Sequence, residues 1–290
     1  MNDLPPEIIQ MILEYLNFAD VLYIRNVSKK LQKTIQITSI WREIICVIQS
    51  NGFTKSTRSV INITDKSCFY YQSCLVGIRH IKSSHYNDLS YHTINPLFHY
   101  LPNLKTIDFS NNFDIDDICI DLISKSCIDL ESLKLSKCYK ITEQSLLYIV
   151  KRLRKLKVLD VTSTRCITNR AWLILCSMTD TLCELSMGNN SDVDWDLLIN
   201  IYPPNLLYWN LTNSYNLTAD YLIRLAKYRK KIKPVGLLSI NVHDCEQLTG
   251  DEIEYIHGIQ DAKLHLIANP KLKNHSADGV LDYLKYILQS

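Results

Sequence analysis

The chain has 290 residues, a formal net charge of +2 and 47% hydrophobic residues. The length suits one repeat array with a small module attached, and the weak net charge argues against a surface that attracts nucleic acid as a whole. No stretch of about 18 residues is free of charged or helix-breaking residues, and the N-terminus has no basic region followed by an apolar run. We therefore expect no membrane span, no secretory signal and a cytoplasmic or nuclear protein.

The first 45 residues predict a module of three short helices. Pro5 suits the turn that leads into the first helix, and Asp20 and Ser28 are candidate N-caps of the second and third. Three short helices make a marginal core, so surplus apolar residues indicate a docking unit. The apolar residues recur at helical spacing and comprise Ile8, Ile9, Ile12, Leu13, Leu16, Val21, Leu22, Leu31 and Trp41.

Residues 46–100 have no regular period. Ile45 and Val47 favour a first strand, residues 63–65 echo the second half of a repeat, and Ile78 and Ile81 hint at another. We interpret this segment as degenerate early repeats or an irregular linker.

Residues 101–290 contain a phrase that recurs with a period in the twenties. It reads Leu-x-x-Leu-x-Leu-x-x-Cys-x-x-Ile-Thr over residues 130–142, and it returns with similar residues over 156–168, 206–218 and 237–249. Weaker copies begin at residues 104, 182 and 261. This period and phrase are typical of a leucine-rich-repeat solenoid. We therefore predict an α/β fold in which parallel strands line the concave face, helices line the convex face, and residues 280–288 form a C-terminal capping helix.

Within each repeat the leucines of the strand are predicted to point inward. Asn112, Cys138 and Cys245 occupy the turn slot, where they can bond the backbone of the neighbouring coil. Each following helix is predicted to begin at a threonine N-cap, and these caps are Thr142, Thr168, Thr218 and Thr249. One helix illustrates the predicted buried face with Leu146, Leu147, Ile149 and Val150.

The ten cysteines include no Cys-x-x-Cys pair. Several of them fall in apolar helical stretches or in the turn slot. We therefore expect free, buried thiols in a reducing compartment rather than a disulfide framework.

The residues that alternate with the leucines are predicted to face the concave side, which is the candidate substrate-binding surface. Tyr208 is the aromatic member of this surface and its best anchor. The loop edges and residues 46–100 are the competing locations. The candidate substrate-binding residues are Lys134, Ser136, Asp160, Glu184, Tyr208, Asn210, Asn241, His243 and His265.

Two basic runs, at residues 151–157 and 227–233, lead from a helix to the next strand. We interpret them as solvated edges where the helix dipole favours cations; nuclear import signals or contacts with an acidic partner are the alternatives. The acidic residues 114–121 lie at a helix start, where carboxylates are stabilised.

No motif of the sequence predicts catalysis. The histidines between residues 80 and 99 match no zinc-ligand spacing. The chain has seven glycines and no Gly-x-Ser-x-Gly or His-Glu-x-x-His motif. The sequence therefore predicts no enzyme, no catalytic residue, no cofactor and no metal.

The N-terminal residues resemble an F-box. The opening of an F-box is matched by Leu4-Pro5-x-Glu7-Ile8-Ile9-x-x-Ile12-Leu13-x-Tyr15-Leu16. Its second part is matched by Asp20-Val21-Leu22-x-Ile24-Arg25-x-Val27-Ser28-Lys29-x-Leu31, and its end by Ser39-Ile40-Trp41. The repeats resemble the cysteine-containing subtype of F-box/leucine-rich-repeat proteins. Together the two resemblances divide the chain into an F-box over residues 1–45, the irregular segment 46–100, and the repeats with their cap over 101–290.

The resemblance implies a substrate-recognition subunit of a Skp–cullin–F-box ubiquitin ligase. The F-box would bind a Skp-type adaptor, and through it a cullin and a RING subunit, while the repeats hold an unknown protein substrate. An interaction scaffold that acts without ubiquitination is the alternative. Neither reading involves nucleic acid or a membrane. The adaptor-binding residues implied by the resemblance are Leu4, Pro5, Ile8, Ile9, Ile12, Leu13, Leu16, Val21, Leu22, Val27, Leu31 and Trp41.

Overall fold

The structure is a computed structural model of the chain. It describes residues 4–14, 27, 29, 31, 33, 45–48, 60–63, 78–83, 91–98, 101–164, 167–176, 181–189, 193–195, 205–232 and 236–268. The chain divides into two compact units, Met1–Leu156 and Lys157–Ser290. Within the described ranges, no helix is both long enough and apolar enough to cross a membrane.

The first unit contains five parallel strands in the spatial order β2-β1-β3-β4-β5. The strand predicted at Ile45 and Val47 is present, and it pairs with both β2 and β3. The earliest strands therefore do not stack in chain order, whereas β3, β4 and β5 do. The elements are α1 (Pro6–Glu14), β1 (Ile45–Ile48), β2 (Val60–Ile63), β3 (His80–Ser83), α2 (Tyr91–Phe98), β4 (Thr106–Asp108), α3 (Asp117–Ser126), β5 (Ser132–Lys134) and α4 (Glu143–Arg152).

The second unit contains five further parallel strands, which pair in chain order from β6 to β10. Parallel neighbours need a connection that returns to the start of the next strand. A described helix supplies it between β6 and β7, between β8 and β9, and between β9 and β10. This is the predicted α/β architecture of leucine-rich repeats. The elements are β6 (Val158–Asp160), α5 (Asn169–Cys176), β7 (Glu184–Ser186), β8 (Tyr208–Asn210), α6 (Ala219–Ile232), β9 (Leu238–Asn241), α7 (Gly250–His257) and β10 (Leu264–Ile267).

The strand phase predicted from the leucine spacing is confirmed. Leu133 and Leu135 are fully buried, while Lys134 between them is exposed. The same buried middle position recurs at Ile107 in the first unit and at Trp209 and Ile240 in the second. Successive residues of a strand point to opposite faces, so each leucine phrase places one side chain in the core and its neighbour in solvent.

In the described coils from β4 to β9, the chain turns after the strand through a residue with positive φ. In the first unit these residues are Asn111 and Lys137, with φ of 64° and 61°. The Asn111 N–H donates to the Ser136 carbonyl of the next coil at 2.7 Å. The left-handed conformation thus aims a backbone donor at the neighbouring coil, and Asn tolerates this conformation better than most residues.

The predicted bond from the turn slot to the neighbouring coil is confirmed at Cys138 and Cys245, and the predicted helix caps are confirmed at Thr142 and Thr249. Asn112 Nδ2 instead donates to the Phe109 carbonyl of its own coil at 2.8 Å. The Cys138 thiol donates to the Phe109 carbonyl of the preceding coil at 3.2 Å. Thr142 accepts a hydrogen bond from the Gln144 N–H at 3.2 Å and caps α4. Thr249 and Glu252 form a reciprocal capping box at the start of α7, which satisfies two donors that a helix start leaves open.

Two expectations about burial are wrong. Leu147 is 37% exposed and Val150 is half-buried, because α4 packs through the narrower stripe that contains Leu146 and Ile149. In α1, Ile9 is 1% exposed, whereas its neighbour Ile8, a predicted docking residue, is 41% exposed. Adjacent helical residues point about 100° apart, so one of two neighbours can pack inside while the other reaches solvent. The predicted capping helix over residues 280–288 lies outside the described residues.

Candidate functional site

The F-box segment has an inner side that is fully packed. Ile9 and Leu31 are each 1% exposed. The Ile9 N–H donates to the Pro5 carbonyl at 3.1 Å, which closes the first turn of α1. The helix therefore begins at Pro6, where a proline loses no hydrogen bond because the first helical N–H has no partner within the helix.

The same segment has an outer side with large apolar residues in solvent. Ile8 is 41% exposed, Met11 57% and Val27 72%, and Pro5 is exposed as well. Large apolar side chains left exposed on a small helical module are typical of a docking surface. Leu4 and Ile12 are half-buried and Leu13 lies within α1. The further predicted adaptor-binding residues Leu16, Val21, Leu22 and Trp41 lie outside the described residues.

In the first unit the solvent-facing side of the strands is polar, and its side chains interact between neighbouring strands. His80 Nδ1 and the Thr106 hydroxyl lie 2.7 Å apart on neighbouring strands. Lys82 pairs with Asp108 at 3.4 Å. Burial opposes ionisation of Asp108, but hydrogen bonds from Ser110 and the charge of Lys82 outweigh that effect and lower the pKa of this carboxyl.

In the second unit the strand register aligns several predicted substrate-binding residues in one row. Glu184, Tyr208, Ser239 and His265 are successive partners across four strands. Glu184 is exposed, and Tyr208 and His265 are partly exposed. Ser239, which we expected on the solvent side, is only 5% exposed, because its short side chain lies between two larger registered neighbours.

The polar residues at the strand ends have a local structural role that the sequence did not indicate. The Oδ1 atoms of Asp160, Asn210 and Asn241 each accept the N–H two residues further on, at 2.9, 3.1 and 3.1 Å. These contacts are Asx turns, in which the side chain satisfies a backbone donor of the turn. His243 lies in the Asn241 turn, Ser136 lies at the corresponding place in the turn after β5, and both are half-buried. That these residues bind a substrate stays a prediction.

The acidic residues at the start of α3 join neighbouring coils. Asp117 accepts hydrogen bonds from the N–H of Thr142 at 2.9 Å and of Ser145 at 3.2 Å, and from both hydroxyls. Asp116 caps α3 by accepting the Cys119 N–H at 2.9 Å. Both carboxylates therefore satisfy helix-start donors rather than standing as open ligands.

The remaining two members of this acidic set form ion pairs. Asp114 pairs with Lys140 of the next coil. Asp121 accepts from Lys125, one turn further along α3, and from Arg152 of α4 at 2.6 Å. The hydrogen bond from Lys125, together with Arg152, lowers the pKa of Asp121. Across the part of the chain that the structure describes, no three His, Cys, Asp or Glu side chains converge as metal ligands.

The described cysteines are free, as expected, and five of the six are buried. Burial raises the pKa of the Cys119 and Cys127 thiols to about 12 and that of Cys245 to about 11. These thiols are protonated at neutral pH and are therefore poor nucleophiles.

The second basic run contains a buried cation, which contradicts the expectation of a solvated edge. Arg229 of α6 is 1% exposed. Its Nε donates to the Ala262 carbonyl at 3.1 Å, and its Nη2 donates to the carbonyls of Gly236 at 2.8 Å and Lys263 at 3.1 Å. The fixed fork of a guanidinium suits three acceptors in different directions. Lys227, in contrast, is exposed as expected.

Sequence analysis missed one exposed feature on the turn edge of the first unit. Phe113 and Tyr139 stack with ring centroids 5.5 Å apart and an interplanar angle of 20°. They remain 42% and 46% exposed. The signal was present in the sequence, because the two aromatic residues are 26 positions apart and therefore equivalent in adjacent coils.

Comparisons with known proteins support the assignment of the N-terminal segment. Residues 1–47 match the F-box-like family model, so the resemblance found in residues 3–44 is confirmed. The chain is 28% identical over 154 residues to EEED8.10 of Caenorhabditis elegans, whose name proposes that it binds RNA. The match covers 50% of this chain and spans about a fifth (21%) of that relative's length.

Two solved structures are similar to this fold. An internalin from Listeria monocytogenes str. 4b F2365 has a TM-score of 0.44 and 15% identity, with 72% of this chain and 66% of that chain covered. A chain in the Rad7 and Elc1 complex of yeast has a TM-score of 0.33 and 13% identity, with 92% and 90% covered. The chain combines the F-box-like match over residues 1–47 with described coils of strand, turn and helix.

Proposed function

We propose that the chain is a substrate-recognition subunit of a Skp–cullin–F-box ubiquitin ligase. The observation that carries the proposal is the F-box-like domain at residues 1–47 on the same chain as a set of leucine-rich repeats. The first binds a Skp-type adaptor and the second holds a protein substrate. Substrate lysines are then presented to the conjugating enzyme, and the rate gain comes from proximity. This role places the protein in the cytoplasm, the nucleus or both.

The exposed apolar residues of the F-box segment support adaptor docking. Ile8, Met11 and Val27 contribute nothing to the packed side that contains Ile9 and Leu31. Burial of one such side chain against a partner is worth roughly 1.5–3 kcal/mol. A small module that exposes three of them has the apolar area that a stable complex needs.

The state of the thiols supports a role without covalent catalysis. A ligase that carries ubiquitin as a thioester needs a cysteine that ionises near neutral pH. Burial instead raises the pKa of Cys127 to about 12 and raises that of Cys176 further. Among the described cysteines, Cys183 is the half-buried one, and its thiol donates to the Thr181 carbonyl at 3.4 Å.

The proposal is tested by affinity purification of the full chain from cells, with adaptor and cullin measured together. We expect both to be recovered with the wild-type chain and neither with Ile8→Glu combined with Met11→Glu. A matched control is Ile118→Glu in α3, which is 59% exposed and lies outside the F-box-like segment. Recovery of the adaptor without cullin would support an interaction module that acts without ubiquitination. Recovery of neither with wild type would refute the adaptor-binding role.

A further inference from the structure

We propose that the turn edge of the first unit binds an acidic peptide segment that carries an aromatic or large apolar side chain. The surface consists of Phe113, Tyr139, Lys134 and Lys137, and we name it the aromatic–lysine edge. Peptides of this kind would be the substrate class that the proposed receptor recognises, so the inference rests on the proposed function. Peptide binding itself needs neither adaptor nor ubiquitin, and the two ideas can therefore fail separately.

The aromatic–lysine edge leaves a large aromatic area exposed to solvent. The two rings contact each other, yet nearly half of each remains in solvent, at 42% for Phe113 and 46% for Tyr139. Single exposed apolar residues are normal, but a stacked pair forms a continuous apolar plate. Aromatic residues of this kind are the usual anchors of protein interfaces.

The backbone that carries the two rings is held rigidly. Both aromatic residues lie between fully buried neighbours: Asn112 and Ile115 flank Phe113, and Cys138 and Ile141 flank Tyr139. A backbone that is pinned on both sides of each ring holds the plate in one geometry. The receptor then loses little conformational entropy when a partner binds, so little affinity is lost.

Bonds between the two coils add to this rigidity. The Asn111 N–H donates to the Ser136 carbonyl at 2.7 Å, and Asp114 pairs with Lys140. The two loops that carry the rings are therefore fixed relative to each other and not only within their own coils.

The aromatic–lysine edge also carries positive charge. Lys134 ends β5 and Lys137 occupies the turn that leads to Tyr139; both side chains are exposed. Ion pairs in the same coils engage Lys82 with Asp108 and Lys140 with Asp114. Among the described residues no carboxylate pairs with Lys134 or Lys137. The carboxylates that follow Phe113 are engaged within the fold: Asp114 pairs with Lys140, and Asp116 and Asp117 accept helix-start N–H groups. The ammonium groups of Lys134 and Lys137 can therefore pair with peptide carboxylates on either side of an apolar residue.

The conformation of Lys137 is consistent with this assignment. It has φ of 61°, a left-handed conformation that the equivalent positions of other coils fill with Asn111, Ser163, Asn189, Asn213 and Asp244. Asn and Asp tolerate this conformation better than Lys. The lysine is thus placed against local preference, where its charge reaches solvent beside Tyr139.

Single-stranded RNA is less well matched. Binding along a nucleic-acid backbone uses a groove with many cations, together with aromatic platforms. The aromatic–lysine edge offers only two uncompensated lysines in the described structure, and the chain as a whole has a net charge of +2. The two rings stack on each other with one plate facing outward, which suits one inserted side chain better than a run of bases.

The test uses the full chain and a fluorescein-labelled peptide in which one Phe is flanked on both sides by runs of Glu. Fluorescence anisotropy should show saturable binding that weakens as ionic strength rises. Phe113→Ala combined with Tyr139→Ala should weaken it at least about tenfold. The matched control Tyr215→Ala, an aromatic residue 45% exposed on a turn of the second unit, should leave it unchanged.

A second pair of variants keeps the rings and the core intact. Lys134→Glu with Lys137→Glu should weaken binding about three- to tenfold, whereas Lys151→Glu on the exposed side of α4 should have no effect. Replacing the peptide's Phe by Ala should abolish binding. Absence of saturable binding at about 1 mM peptide, tighter binding of an oligouridine of the same length, or equal effects of test and control variants would each overturn the proposal. Adaptor recovery is unaffected by any of these outcomes.

Discussion

Replacing Arg229 with Met should destabilise the second unit by about 3 kcal/mol. The guanidinium donates to three carbonyl oxygens, those of Ala262, Gly236 and Lys263, at distances between 2.8 and 3.1 Å. Methionine fills a similar volume but donates to none of them. Each acceptor that loses its donor costs about 1–2 kcal/mol, the lower part of the usual range because a carbonyl has a second lone pair, and the gross loss is therefore about 3–6 kcal/mol.

Removing the buried charge of Arg229 offsets part of this loss of stability. A buried cation loses its hydration, and its removal returns part of that free energy. Arg229 is 1% exposed, so this term is appreciable, and the net loss is expected between about 2 and 4 kcal/mol. Arg229→Lys should lie between wild type and Arg229→Met, because one ammonium cannot point at three acceptors in different directions.

Thermal and urea denaturation of the full chain measure the effect. For a unit of this size, each kcal/mol shifts the midpoint temperature by about 2–4 °C, so a fall of about 6–12 °C is expected for Arg229→Met. Lys230 is the matched control, since it is the next residue of α6 and is exposed; Lys230→Met should change stability by less than about 0.5 kcal/mol. Equal midpoints for the two variants would refute the reasoning that Arg229 joins α6 to the segments that precede β9 and β10.

Three further predictions follow from the same geometry. Leu135→Ala should cost about 2–5 kcal/mol by leaving a cavity, while Lys134→Ala should cost less than about 0.5 kcal/mol; equal losses in urea denaturation would show that the strand phase is wrong. Gly188→Ala should destabilise the fold measurably by the same assay, because a Cβ there would lie 2.7 Å from the Thr212 carbonyl oxygen, whereas Gly258→Ala, with its nearest contact at 3.3 Å, should be milder. Leu4→Ala with Pro5→Ala should weaken titrated adaptor binding at least about tenfold with an unchanged circular dichroism spectrum, and full binding by this variant would contradict the docking assignment.

The parts of the fold that the sequence predicted depend on local periodicity. The alternation of Leu133, Lys134 and Leu135 predicted both burial and exposure, because a strand has a period of two. Thr142 and Thr249 were predicted as caps, because a hydroxyl before a helix can accept the N–H groups that the first turn leaves open. These signals are contained within a few residues, and the structure agrees with each.

The parts that the sequence did not predict depend on contacts between distant segments. Nothing in the region 46–100 signals that β1 lies between β2 and β3, since each of these strands has only four residues and no regular period precedes them. Arg229 lies in a run of basic residues that looks uniformly solvated. Its position seven residues after Leu222, on the stripe that also contains Leu225 and Ala226, was the signal that could have identified it.

The candidate site illustrates why exposed polar residues are weak guides to function in a repeat fold. Asp160, Asn210 and Asn241 were predicted to bind a partner because they are polar and face solvent. Each of them already accepts a backbone N–H of its own turn, so the need to satisfy that donor accounts for their presence without any partner. The exposed faces of Phe113 and Tyr139 have no such explanation, because hydrated aromatic area adds nothing to the stability of the coil. In a fold built from repeated hydrogen-bonded turns, apolar area that stays exposed is therefore better evidence for where a partner binds than polar residues that satisfy their own turn.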